Sequence, residues 1–121
     1  MESRAYSTTA RQDILEILDE SMLNFGYDAY LRYEALIVAA TKAVRDNPKG
    51  IGCKPLPELG ENIYQYQLAT AKHRVKPPAM RVKNPRHYLL YRIHSDGSVL
   101  IGRVLHDRTL PAHYITADTW N

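Results

Sequence analysis

Arg103, His106 and Arg108 lie close together late in the chain, and Tyr114 follows six residues after Arg108. Arginines offer fixed positive charge to a phosphate or carboxylate, and a histidine between them can give or take a proton near neutral pH. His113 adds a second such group. Upstream, Lys72, Arg74, Lys76, Arg81, Lys83, Arg86 and Arg92 fall in a stretch between Glu61 and Asp96 that contains no acid. An acid-free basic segment raises the local potential and attracts anionic partners, nucleic acid or an acidic protein alike. A solvated rim with no partner is the plain alternative, since isolated surface charges contribute little. The five histidines show no metal-ligand spacing, and Cys53 is the single cysteine. A four-cysteine zinc site and an intrachain disulfide are therefore excluded, and no metal or cofactor is expected.

The elements that must position these residues begin with a β-hairpin. The runs His87–His94 and Ser98–Leu105 carry Tyr88, Tyr91, Ile93, Val99, Ile101 and Val104, contain no proline, and flank Asp96-Gly97. That dipeptide predicts a two-residue type I′ turn. The second strand delivers Arg103, His106 and Arg108 to its end, where binding and chemistry tend to sit.

Before the hairpin, Arg4–Thr8 suits a short edge strand, with Ser7, Thr8 or Thr9 capping the helix that follows. Ile14, Ile17, Leu18, Met22 and Phe25 recur at three- and four-residue spacing and predict a helix over Ala10–Asn24. Asp13 and Glu16 sit in its first turns, where carboxylates favour the positive end of the dipole. Gly26 ends it. Tyr30, Tyr33, Leu36, Ile37, Ala40 and Val44 mark a second helix from Asp28 to about Asp46, stopped by Asn47-Pro48 and Gly50. Lys49–Gly60 reads as turns, Ile63–Leu68 alternates as a half-buried strand, and Ala71–Pro85 reads as a basic loop projecting from the sheet.

The order is strand, helix, helix and three strands: an α+β fold in which a helical hairpin covers one face of a small, mainly antiparallel sheet. The opposite face is expected to be bare and positively charged. The length suits one domain over residues 1–121. Net charge is −3 over residues 1–61 and +6 over 62–121, for +3 in all. No apolar run approaches a bilayer span, the N-terminus lacks a hydrophobic signal core, and the lone cysteine suits a reducing setting, so a cytoplasmic location is expected.

The element order, together with the segments NPKGIGCKPLPELGENIYQYQL, NPRHYLLYRI and IGRVLHDRTLPAHYI, resembles the RelE/ParE superfamily of bacterial toxins. Asn47-Pro48, Glu58-Leu59-Gly60, Pro85-Arg86-His87, Tyr91-Arg92 and Arg103-Val104-Leu105-His106 bring it closest to the ParE branch, over about Tyr6 to Ile115. The resemblance implies a toxin of a type II toxin–antitoxin pair, neutralised by a ParD-like antitoxin whose C-terminal segment lies across it. ParE-branch toxins act on DNA gyrase and RelE-branch toxins cut messenger RNA in the ribosome.

Fold does not separate these activities. Gyrase poisoning is the preferred reading and makes the protein a binder rather than an enzyme, with Arg81, Arg86, Arg92, Arg103 and Arg108 as partner-binding residues. The alternative, a RelE-type endoribonuclease, needs a base for the 2′-hydroxyl, a cation for the phosphorane and an acid for the leaving oxygen. Arg108, Tyr114 and His106 are its candidates, because RelE-like nucleases carry a tyrosine six residues after an arginine. A plain nucleic-acid-binding domain is a third reading; the basic segment supports it, but no stacking motif or recognition helix does.

Overall fold

A computed structural model describes residues 4–121. Helix α1 spans Thr8–Phe25, and its N-cap is Ser7, whose Oγ accepts from the Ala10 amide. Gly26, with φ of 92°, turns the chain, and α2 runs over Tyr27–Asp46. The strand expected over Arg4–Thr8 is reduced to a single parallel bridge between Tyr6 and Ile101. The Ile101 amide donates to the Ala5 carbonyl and the Ser7 amide to the Ile101 carbonyl, while the Ser7 carbonyl already accepts from Arg11 in the helix. The helix begins one residue later, so the pairing has no room to extend.

Four strands follow: β1 (Lys54–Pro55), β2 (Ile63–Gln67), β3 (His87–Ile93) and β4 (Val99–His106), antiparallel in the order β1-β2-β3-β4. β1 lies inside the segment expected to be turns; its two residues pair with Gln65 and Tyr64. The hairpin is present, but its turn differs from the expected type. The Gly97 amide donates to the His94 carbonyl, and His94 pairs with Ser98 across a three-residue loop. Gly97 has φ of 88°, while Asp96 stays out of the left-handed region and accepts from the Ser98 amide and hydroxyl instead. A short acceptor two residues before a donor stabilises that looser turn.

The register shifts between Leu90, opposite Arg103, and Tyr91, opposite Ile101, so Gly102 is an extra residue in β4. This bulge re-aims the strand and brings Arg103 toward α1.

On the helical side, Leu18, Leu36, Ile37, Ala40 and Val44 pack against Tyr66, Leu89, Tyr91, Ile101 and Val104. The basic loop does not project. Leu68–Arg74 forms a 3₁₀ helix, and Leu68, Ala71 and Val75 are buried in this same core. Three apolar residues at three- to four-residue spacing outweigh the cost of bringing the charged positions near the surface.

The opposite face is also not bare. Leu56, Ile63, Tyr88, Leu90 and Leu105 form a second cluster, covered by Leu59, Ile115 and Trp120. The cause is visible in β3: Tyr88, Leu89, Leu90 and Tyr91 are each 0–1% exposed. Consecutive strand residues point to opposite faces, so an uninterrupted buried run requires cover on both sides. The second cover is the chain's own tail. Both tyrosines also find carbonyl partners outside the sheet, Tyr88 at Thr109 and Tyr91 at Pro48, 2.9 and 2.7 Å away.

The tail meets the sheet at Gly102, where an added β-carbon would stand 2.5–2.9 Å from the Trp120 ring and the Thr119 methyl. Gly102→Ala is expected to lift the tail. Its checks are a red shift in the emission of Trp120, the single tryptophan, and a loss of about 1–3 kcal/mol in denaturant unfolding.

Candidate functional site

A groove of about 1050 Å³ runs between α1 and the segment that enters β3. Asp13, Glu16 and Glu20 line one wall, because spacings of three and four place them on one side of α1. Arg81, Lys83 and Arg86 line the other. Its floor combines Ile17, Val104 and Leu105 with Tyr33, His87 and His106. The groove is thus acidic on one side, basic on the other and partly apolar between.

Antiparallel register sets the two histidines directly opposite each other, and their rings meet edge to face at 5.3 Å. The Tyr33 hydroxyl donates to His87 Nδ1 at 2.5 Å and accepts from the Arg86 amide at 3.2 Å. Burial raises the Tyr33 hydroxyl to about 12. Burial, followed by the neighbouring His106, holds His87 down to about 4. At neutral pH Tyr33 is therefore a neutral donor and His87 a neutral acceptor carrying its proton on Nε2. A histidine held that low is a poor general base at pH 7; here it ties the start of β3 to α2.

Most of the arginines singled out by the sequence are held within the protein. Arg103 grips Asp13 through two hydrogen bonds of 2.7 and 2.9 Å and donates to the Tyr114 carbonyl. Asp13 also accepts the Val104 amide, so it satisfies the open edge of β4 where the bulge leaves it. Arg86 pairs with Asp107 at 2.9 Å, and that guanidinium holds Asp107 below the usual carboxylate range. Arg81 donates to the carbonyls of Val75 and His73, closing the basic loop. Arg92 lies 5.0 Å over the Trp120 ring on the tail-covered face. Arg108 is exposed, and among the described residues none accepts from its guanidinium.

His106 and Arg108 are neighbours at the end of β4: the Arg108 amide donates to His106 Nδ1 at 3.2 Å, and Asp107 lies as close to the same nitrogen. Tyr114 lies against Arg103. Its ring is 5.6 Å from the Arg103 guanidinium, and no hydrogen bond or ring contact joins it to His106 or Arg108 among the described residues. Sequence reasoning missed Tyr33, Asp13 and Asp107 as site residues. Tyr33 reads as core from its helical spacing and Asp13 as a dipole-compensating carboxylate. Only the partners, 54 and 90 residues away, show otherwise.

The chain matches the family model for the ParE toxin of the type II toxin–antitoxin system, parDE, over residues 5–111. It belongs to that family. Toxins of this type are paired with an antitoxin. No curated protein matches the chain. The match spans both helices and all four strands and includes every arginine considered above, while Tyr114 and Trp120 lie in the tail beyond it.

Two outcomes are expected from this geometry. Unfolded histidine titrates near 6.5 and His87 near 4, so between those values the unfolded chain binds more protons. Stability therefore rises with pH across that window and falls on acidification. His87→Gln should flatten this part of a urea-midpoint profile against pH. Asp13→Ala should cost about 2 kcal/mol, because it strands Arg103 and the Val104 amide. Asp13→Ala/Arg103→Met should recover part of that loss in the same unfolding measurement.

Proposed function

We propose that this toxin binds DNA gyrase and stabilises the complex in which DNA is cleaved, and that a ParD-like antitoxin neutralises it. The observation that carries the choice of gyrase over RNA cleavage is the placement of Tyr114 on Arg103. A nuclease needs its base, its cation and its acid around one phosphate. Here His106 and Arg108 adjoin, Tyr114 is engaged elsewhere, and His87 is neutral and poorly basic. Family membership in the ParE toxins supports the same reading. In this role the protein breaks no bond itself. Arg108 and the exposed rim of Arg86 supply positive charge toward the target; Arg81, Arg92 and Arg103 support the surfaces around them.

The groove suits the antitoxin. Its floor around the half-buried Ile17 takes an apolar anchor, and its Arg81, Lys83 and Arg86 wall takes the carboxylates of an acidic segment that folds on binding. The adjacency of His106 and Arg108 favours RelE-type RNA cleavage as the second reading.

Purified toxin added to gyrase and plasmid should abolish supercoiling and accumulate linear DNA, and should leave a message on translating ribosomes intact. Tyr114→Phe should retain full gyrase inhibition. Arg108→Ala should weaken it by less than about tenfold, as expected for a charge at an interface rim. Codon-positioned cuts that disappear in Tyr114→Phe would reverse the assignment.

A further inference from the structure

The end of the helical hairpin is a second surface, which meets the groove at Glu20 and Phe25. Leu23, Phe25 and Tyr27 are 85, 76 and 60% exposed, and Met22 beside them is exposed as well. Single exposed apolar residues are ordinary, but four within six positions at one corner form a patch that normally marks a contact. The turn that carries them stands clear of the protein, since a β-carbon added at Gly26 would meet nothing within 4 Å. Leu15, Asp19 and Leu23, four residues apart, continue the patch as an exposed row along α1. This row lies off the side that buries Ala10 and Leu18.

The charge around the patch decides what it fits. Residues 12–31 contain five carboxylates and no lysine or arginine. Asp13 is taken by Arg103, whereas Asp19, Glu20 and Asp28 are in no ion pair among the described residues. The carbonyl end of α1 and the amide end of α2 meet at Gly26 and offset one another, so the negative potential of the tip comes from its carboxylates. Such a surface repels nucleic acid, an acidic antitoxin segment and the same tip of a second copy. It attracts a basic protein surface with an apolar centre.

We propose that the hairpin tip docks on a positively charged protein surface of gyrase, with Leu23 and Tyr27 as apolar anchors and Asp19 and Asp28 as the charged rim. This rests on the gyrase reading above. An enzyme that holds DNA must itself present basic surface, and that surface is the complement of the tip.

The test uses the full chain with purified gyrase and plasmid. Leu23→Ser/Tyr27→Ser should lose at least about tenfold in inhibition, and Asp19→Lys should lose a similar factor, each with an unchanged melting temperature. Ile51→Ser, equally exposed but outside the tip, should inhibit as the native chain does. Inhibition by the native chain should also weaken as salt rises. If the native chain inhibits gyrase and both tip variants inhibit within about twofold of it, the docking surface is wrong and the gyrase reading stands. An equal loss in Ile51→Ser also overturns the tip. If the native chain has no effect on gyrase, both fall.

Discussion

Everything in this structure answers to the two-sided burial of β3. Tyr88–Tyr91 are withdrawn from water in an unbroken run, so each face of the central strand needs its own apolar cover. The helical hairpin supplies one, and the tail around Ile115 and Trp120, with Leu56 and Leu59, supplies the other. Each large apolar side chain so buried contributes roughly 1.5–3 kcal/mol. A sheet this small has few such residues, and a tail that covers Tyr88, Leu90 and Leu105 is part of its fold.

That requirement changes the meaning of the positive charge. A basic half-chain suggests an open cationic sheet, yet the arginines mainly close local structure. Arg103 joins β4 to α1, Arg86 joins the start of β3 to the residue after β4, Arg81 closes a loop, and Arg92 covers a tryptophan. The planar guanidinium suits all four tasks, because it can make two directed hydrogen bonds or lie flat on a ring. What remains of that charge for partners is the basic wall of the groove, together with the exposed cations Arg108, Lys76 and Lys83.

The β4 edge shows how tightly these roles are joined. One carboxylate, Asp13, accepts from the Arg103 side chain and the Val104 amide, while the Ser7 and Thr9 hydroxyls donate to the Gly102 carbonyl. The first turns of α1 and the residues before them thus take the place of a fifth strand along Ile101–Val104, where the edge donors of Ile101 and Val104 are taken by Ala5 and Asp13. The same first turns form the acidic wall of the groove, so edge protection and partner surface share residues.

The sequence by itself determined the local structure. Apolar spacing of three and four, Ser7 and Gly26 at helix ends, alternation in Ile63–Leu68, and β-branched and aromatic runs around Asp96-Gly97 are preferences that act over a few residues, and they define both helices and β2 to β4. It also carried the family resemblance, because the residues that bear it lie along almost the whole chain. Two further features were legible but easily misread: the unbroken apolar run in β3, which implies two covers, and Leu68, Ala71 and Val75, which anchor the basic loop. Only the tertiary structure decided that the tail is the second cover, that Asp13 meets Arg103, that Tyr33 bonds His87, and that Tyr114 joins Arg103 instead of Arg108. Those pairings span from 11 to 90 residues, and residue types alone do not select among the many partners a charge or hydroxyl could take. Packing two layers on one strand does, because it fixes which few neighbours each of those groups can reach.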